Sequence, residues 1–172
     1  MFQLRNHQNT VIDILSKNRK GQVIVPTGGG KTMCMIEDAK KVSGTIVVVA
    51  PRILLAEQLS SEFLEILDNV SVMHVHSGET THFSSTKASD VYMWDLHTRG
   101  DKIIFTTYHS LHRIQESHIH VDTIYFDEAH NAIQKNFIEA VEWFSICASR
   151  CYFFTATPKH SNTPMKVGMN DW

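Results

Sequence analysis

Short runs rich in β-branched and aromatic residues recur along the chain, and each ends abruptly in a polar or glycine-containing stretch. The six runs are residues 23–25, 46–49, 71–75, 103–105, 124–126 and 152–154. Apolar runs without strict alternation suit strands that are covered on both faces, as in a parallel sheet. The sequence therefore predicts a buried sheet, with polar stretches gathered at the carboxyl ends of its strands.

Apolar residues at spacings of three and four lie between these runs and predict helices. One stripe covers residues 55, 59, 63 and 66, a second covers 133, 137, 141 and 144, and a shorter one covers 35, 39 and 42. A further helix is expected over roughly residues 4–17. Strand followed by helix, repeated, predicts a doubly wound, mostly parallel α/β sheet with helices on both faces.

Two segments lie outside this alternation. Residues 77–101 have the character of an insertion, with a helix expected over 86–97, and residues 159–172 have no clear period. We therefore expect one domain over residues 1–158, followed by a linker over 159–172 toward a second domain.

Composition narrows the classes of partner and compartment. The formal net charge is −2, so no bulk basic field indicates nucleic acid, and phosphate contacts must come from a local patch or from backbone amides. Three cysteines without paired spacing argue against a disulfide framework and against a zinc site. No signal peptide and no membrane-length apolar run is present, which predicts a cytoplasmic protein without a membrane partner.

A glycine loop follows the first apolar run. Gly28, Gly29 and Gly30 let the backbone curl so that successive N–H groups face phosphate oxygens. Lys31 would place its charge on the β and γ phosphates, and the Thr32 hydroxyl would ligate Mg²⁺. The pattern G-x-x-x-x-G-K-T would have glycine at position 25, where this chain has valine. The alternative is an ordinary glycine turn beside a lysine.

A second polar signature, Asp127-Glu128-Ala129-His130, follows the run at 124–126. An aspartate just beyond a buried strand can hold Mg²⁺. The next carboxylate is placed to orient or deprotonate an attacking water molecule. The alternative is that both residues are solvated parts of a turn.

Together these stretches resemble the motifs of superfamily 2 helicases of the DEAH type. The resemblance extends over motif I (Pro26-Thr27-Gly28-Gly29-Gly30-Lys31-Thr32), motif II (Asp127 to His130), motif III (Thr155-Ala156-Thr157), motif Ia (Ala50-Pro51-Arg52), motif Ib (residues 106–111) and the glutamine motif (residues 4–8). The forms are most similar to type I and III restriction motor subunits, phage branch-migration helicases and excision-repair helicases. The resemblance implies a RecA-like P-loop domain that binds ATP and Mg²⁺.

The resemblance also implies a role for individual residues. Gln8 would recognise the adenine edge, supported by Arg5, and the catalytic residues would be Lys31, Asp127 and Glu128. His130, Thr155 and Thr157 would couple the bound nucleotide to the nucleic acid. Arg52, Thr106 and Thr107 would contact the nucleic-acid backbone. DNA is the expected partner, and RNA is the less expected one.

The expected function is therefore the ATP-binding half of a helicase or translocase. In the family, a second RecA-like domain supplies an arginine finger, so the chain alone is expected to bind ATP·Mg²⁺ but to hydrolyse it poorly. A non-catalytic nucleotide- or nucleic-acid-binding module is the alternative. A small-molecule kinase would leave motifs II and III unexplained.

Overall fold

A computed structural model describes residues 6–25 and 30–155, without the side chains of residues 6–9. The helices are α1 (Asn6–Lys17), α2 (Lys31–Ala39), α3 (Ile53–Ile66), α4 (Ala88–His97), α5 (Leu111–Ser117) and α6 (Ile138–Cys147). The strands are β1 (Lys20–Ile24), β2 (Thr45–Ala50), β3 (Val70–Val75), β4 (Asp101–Thr107), β5 (Thr123–Phe126) and β6 (Arg150–Thr155). A short 3-10 helix, Ala129–Ile133, follows β5.

The six strands form one sheet in the order β1-β6-β5-β2-β4-β3, and all neighbouring strands are parallel. All strands therefore end at the same edge. At that edge, β1 and β5, which precede the glycine loop and the carboxylate pair, are separated only by β6. This confirms the doubly wound α/β sheet.

Burial on both faces explains why the apolar runs do not alternate with polar residues. In β2, Ile46 and Val48 pack against α1, α2 and α3, whereas Val47 and Val49 pack on the opposite side with α4, α5 and α6. All four side chains are at most 4% exposed. Because each face buries its own set of apolar area, the central strands are held from both sides.

The stripe predicted over residues 133–144 is not one helix. The 3-10 helix ends at Ile133, Gln134 is extended with φ −68° and ψ 141°, and α6 begins at Ile138. Phe137 still reaches the core, where its ring lies 5.7 Å from the ring of Tyr108. The spacing correctly identified Phe137, Val141 and Phe144 as buried, whereas Ile133 is only half-buried, and the chain meets that face through two helices and a turn.

The segment at 77–101 is part of the fold and not an insertion beside it. Its helix α4 begins at Ala88, close to the expected start at 86, and Val91 is fully buried on the face of the sheet that α5 and α6 also cover. This helix is the crossover connection between β3 and β4, and it packs against α5. Within the described residues, no helix is both long and apolar enough to cross a membrane.

Candidate nucleotide-binding site

The site begins where α2 emerges from the glycine loop. Gly30 precedes the helix with φ 77° and ψ 39°, a left-handed conformation that side chains rarely adopt, and its carbonyl accepts the Cys34 N–H at 3.1 Å. The positive end of the α2 dipole therefore faces the carboxyl edge of the sheet. The preceding residues 26–29 lie outside the described part of the chain.

Lys31 meets both carboxylates of motif II at this edge. Its ammonium Nζ lies 2.8 Å from Asp127 Oδ1 and also contacts Glu128 Oε1. The side chains differ in exposure, at 18% for Lys31, 8% for Asp127 and 33% for Glu128. One cation thus pairs with a nearly buried carboxylate and with a second, water-accessible one.

The pKa values of this cluster are shifted by burial and by the neighbouring charges. Burial raises the pKa of Asp127 above its usual value, and the Lys31 charge only partly counteracts this. Burial alone would lower the pKa of Lys31, but Asp127 and Glu128 outweigh it and raise that pKa. The ionised Asp127 carboxylate therefore depends on a nearby cation.

One oxygen of Asp127 has unused acceptor capacity. Oδ1 is buried, and no donor among the described residues reaches it in hydrogen-bonding geometry, although Lys31 Nζ is close by distance. Thr32 lines the same cavity as Asp127. Carboxylate and hydroxyl oxygens are ligands that suit Mg²⁺, so these residues fit the metal that the sequence implies.

The main chain around the carboxylates is fixed by hydrogen bonds from neighbouring elements. The Asp127 N–H donates to Val49 O at 2.8 Å, and the Tyr108 hydroxyl donates to Asp127 O at 2.8 Å. Glu128 has φ 49°, a left-handed conformation that is uncommon for a residue with a side chain. The Asn131 side chain donates to Glu128 O at 2.9 Å. Sequence analysis did not assign a positioning role to Tyr108 or Asn131.

A cavity of about 550 Å³ opens beside this cluster. It lies within the usual size range of small-molecule sites, which is about 300–1,000 Å³. Its wall includes Gln58 and Glu62 of α3, which sequence analysis also missed. They are four residues apart on one helix, a spacing that could have identified a polar face beside the apolar stripe. The site residues that the sequence did predict on this wall are Lys31, Thr32, Arg52, Asp127, Glu128 and His130.

The remaining predicted residues differ in their placement. Arg52 is exposed at the start of α3, and Thr155 ends β6, where its carbonyl accepts the Val25 N–H at 3.1 Å. Thr106 is fully buried and its hydroxyl donates to Val75 O at 2.7 Å, while Thr107 is only 3% exposed. Neither threonine side chain is thus presented on an open surface. Arg5, Pro26, Thr27, Gly28, Gly29, Thr157 and the side chain of Gln8 lie outside the described residues.

Solved structures share this fold. The Type ISP restriction-modification enzyme LlaGI, as a nuclease-deletion mutant in complex with a DNA substrate mimic, has a TM-score of 0.76 at 22% identity over 93% of this chain and 18% of its own. The Hef helicase domain of Pyrococcus furiosus has a TM-score of 0.70 at 18% identity over 92% and 34%. The UvsW helicase from bacteriophage T4 has 0.69 at 12% identity over 96% and 56%.

Sequence comparison extends the likeness. A protein of the Sulfolobus islandicus filamentous virus (isolate Iceland/Hveragerdi), named "Putative helicase 7", is 28% identical over 146 residues. That match covers 82% of this chain but 23% of the viral protein, so the chain spans less than a quarter of this relative. The family model described as "Type III restriction enzyme, res subunit" matches residues 1–160, nearly the whole chain. The chain therefore belongs to this family, which confirms its resemblance to helicases.

Proposed function

We propose that this chain is the ATP-binding domain of a DEAH-type motor that couples ATP hydrolysis to movement on nucleic acid. The proposal rests mainly on the contacts of Lys31 with Asp127 and Glu128 beyond the end of β5. Lys31 and Glu128 are 97 residues apart in the sequence. A lysine after a glycine turn and two carboxylates after a buried strand are the parts that phosphoryl transfer requires.

Each residue of the cluster has a separate role in this proposal. The Lys31 ammonium binds the β and γ phosphates, and the Thr32 hydroxyl and Asp127 carboxylate hold Mg²⁺. When bound, the metal neutralises charge on the phosphate oxygens. Glu128 orients the attacking water and accepts its proton, and its 33% exposed side chain allows water to reach it.

Nucleotide loading is then an exchange of ion pairs. In the structure, Lys31 itself pairs with Asp127 and Glu128. In the loaded state, its ammonium turns to the phosphates, and the carboxylates depend on the metal for neutralisation. Because the Asp127 side chain is only 8% exposed, an ionised Asp127 with neither Lys31 nor a metal ion beside it would be unfavourable. This favours the binding of metal and nucleotide together.

Of the three residues expected to contact the nucleic-acid backbone, only Arg52 would do so through its side chain. It is exposed at the start of α3 and borders the nucleotide cavity, whereas Thr106 and Thr107 would contribute through their backbone groups. Such contacts grip phosphates without reading sequence. DNA is the favoured partner and RNA the alternative. His130, Thr155 and Thr157 would couple this surface to the γ-phosphate.

We further propose that residues 1–158 form the first motor domain and that residues 159–172 lead to a second RecA-like domain. The second domain would supply the arginine finger, worth about 10³- to 10⁵-fold in turnover. In the nucleotide pocket, Gln8 and Arg5 would recognise adenine, and residues 26–30 would wrap the phosphates. Retention of both Asp127 and Glu128 favours a hydrolysing motor over a non-catalytic binding module.

Nucleotide titration of the 172-residue chain tests the proposal. A fluorescent ATP analogue with Mg²⁺ should bind the unaltered chain, and Lys31→Ala should weaken that binding by removing the cationic partner of the phosphates. Lys40→Ala is the matched control, because Lys40 lies at the far end of α2 with a 46% exposed side chain. Equal affinities of the two variants would contradict the proposed site.

Turnover measured on the same chain tests the need for a second domain. We expect the 172-residue chain to hydrolyse ATP slowly, and a chain that includes both motor domains to hydrolyse it rapidly when a polynucleotide is present. Strong polynucleotide-stimulated turnover by the 172-residue chain alone would exclude this division of labour.

A further inference from the structure

Three potential metal ligands converge at the end of β3, on the edge of the sheet. His74 and His76 are two residues apart, so they project to the same face, and Glu57 faces them from α3. His74 is fully buried and His76 is 2% exposed. One ligand atom from each of the three residues lies within 4.8 Å of the other two.

Two of the three separations between these atoms match those around a small tetrahedral cation. His76 Nε2 lies 3.2 Å from His74 Nδ1 and 3.2 Å from Glu57 Oε2, while His74 Nδ1 contacts Glu57 Oε2 directly. Two ligands at about 2.0–2.1 Å from a tetrahedral zinc ion are about 3.3 Å apart. Two of the three separations, both at His76 Nε2, therefore match those around one ion, and His74 Nδ1 and Glu57 Oε2 would have to move apart to admit it.

The Glu57 carboxylate is the shared hydrogen-bond acceptor of this cluster. His74 Nδ1 faces Glu57 Oε2, His76 Nε2 and, at 3.5 Å, Thr80 Oγ1. A ring nitrogen offers either one proton or one lone pair, so His74 Nδ1 pairs with only one of these neighbours, and the Glu57 carboxylate accepts from the others. A cation placed between the nitrogens and the carboxylate would satisfy all three ligand atoms together.

We propose that Glu57, His74 and His76 form a binding site for one zinc ion, which fastens α3 to the edge strand β3. Two imidazoles and one carboxylate suit zinc among the divalent transition metals. The site is separate from the nucleotide site and does not depend on the proposed motor function. Glu57 adjoins Gln58, which lines the nucleotide cavity, so the metal would fix the helix that forms one wall of that cavity.

The residues around the ligands differ in how they adapt to the metal. Ser60 Oγ lies 2.9 Å from His74 Nε2, where it accepts the ring proton once Nδ1 binds zinc, as outer partners of ligating histidines commonly do. At His76, the Gly78 N–H donates to Nδ1 at 3.1 Å, so the neutral ring carries its proton on Nε2. Zinc binding at Nε2 shifts that proton to Nδ1, and the Gly78 amide then gives up this hydrogen bond.

Zinc titration of the full chain tests the site. The metal-stripped protein would be titrated with Zn²⁺ against a chromophoric chelator, with excess Mg²⁺ present to occupy the Asp127 region. We expect one equivalent to bind tightly, and Glu57→Gln and His76→Gln each to weaken it by more than about 100-fold, since even outer partners are worth about 10- to 100-fold. His120→Gln is the control, because the His120 side chain is 65% exposed and lies outside the cluster.

Substitution with Co²⁺ supplies a measurement that does not require a variant to fold. The unaltered chain should give the intense visible absorption of a four-coordinate cobalt site, and saturating zinc should abolish it. Absence of one tight equivalent overturns the proposal, as does unchanged affinity in both Glu57→Gln and His76→Gln. An equal loss in His120→Gln would place the metal on surface histidines and also overturn it.

Discussion

Lys31→Met isolates the charge of the lysine from its bulk. Methionine retains a long unbranched side chain but cannot pair with Asp127 or Glu128. In the nucleotide-free chain, these two carboxylates would then face each other without the cation that now lies 2.8 Å from Asp127. We therefore expect the variant to be less stable before any nucleotide is added.

The size of the loss follows from the exposure of the partners. The Asp127 side chain is 8% exposed, so its contact with Lys31 is close to a buried charged interaction, worth about 1.5–3 kcal/mol. Glu128 is 33% exposed, and solvent screening leaves little additional contribution from it. Methionine also avoids the burial cost of the Lys31 ammonium. The free energy of unfolding at pH 7.5 should thus fall by about 1–3 kcal/mol.

The loss should also depend on pH in a defined direction. The pKa of Asp127 is already raised by burial, and removal of the Lys31 charge raises it further. A protonated carboxyl needs no cation. The difference in unfolding free energy between the variant and the unaltered chain is therefore full only above the Asp127 pKa of the variant. This difference shrinks as the pH falls from the Asp127 pKa of the variant to the lower pKa of the unaltered chain, because Asp127 is then protonated in both folded proteins.

Urea unfolding with and without Mg²⁺ measures both effects. Without the competing ammonium, Mg²⁺ should bind the carboxylates of Lys31→Met more tightly and stabilise the variant more than the unaltered chain. Lys40→Met, which alters an exposed charge on the same helix, should change neither value appreciably. Equal stabilisation by Mg²⁺, or a loss that does not vary with pH, would refute the ion-pair exchange.

Three further outcomes are expected. In a chain with both motor domains, Glu128→Gln should retain ATP binding but slow single-turnover hydrolysis by about 10²- to 10⁴-fold, and normal turnover would exclude it as the base. Asp38→Asn should destabilise the chain by about 3 kcal/mol in urea, because the buried Asp38 carboxylate accepts hydrogen bonds from Tyr125 at 2.5 Å and Arg150 at 2.8 Å; a loss below about 1 kcal/mol would contradict this. At pH 8, iodoacetamide should label Cys147, which is exposed, as mass spectrometry would show. The two buried thiols should react only after unfolding, since burial raises the pKa of Cys34 to about 11 and that of Cys151 to about 12.

Local periodicity was sufficient to predict the sheet and its covered faces. A run such as Ile46–Val49 is compatible with few environments other than a strand buried on both sides, and the structure confirms this. The glycine turn and the carboxylate pair were also predictable as neighbours, because parallel strands end at one edge and ligands bind beyond it. Their meeting through Lys31 follows from that topology.

Other features depend on contacts that a single sequence does not contain. The spacing of Phe137 and Val141 correctly predicts two buried residues, but not the turn that separates α6 from the 3-10 helix before it. Thr106 occupies a motif position, yet its hydroxyl faces inward to Val75 O. The argument against a zinc site rested on the spacing of the cysteines. The cluster of His74 with Glu57 arises only when α3 packs over β3, so the sequence gives no sign of it. Such pairings are properties of the packed layers.

The two ends of the proposed coupling meet at Tyr108. This residue immediately follows Thr107 at the end of β4, in the segment that resembles a nucleic-acid motif, and its hydroxyl donates to Asp127 O in the nucleotide site. One such hydrogen bond contributes only about 1 kcal/mol, too little to drive a motor step. However, the ring is 2% exposed and lies 6.0 Å from Phe126, centroid to centroid, directly before Asp127. Because packed interiors resist compression, a displacement of the β4 end would be transmitted to the Asp127 main chain through this contact. The fold thus supplies a rigid contact between the two surfaces, through which the proposed motor would couple ATP binding at Lys31, Asp127 and Glu128 to the nucleic acid.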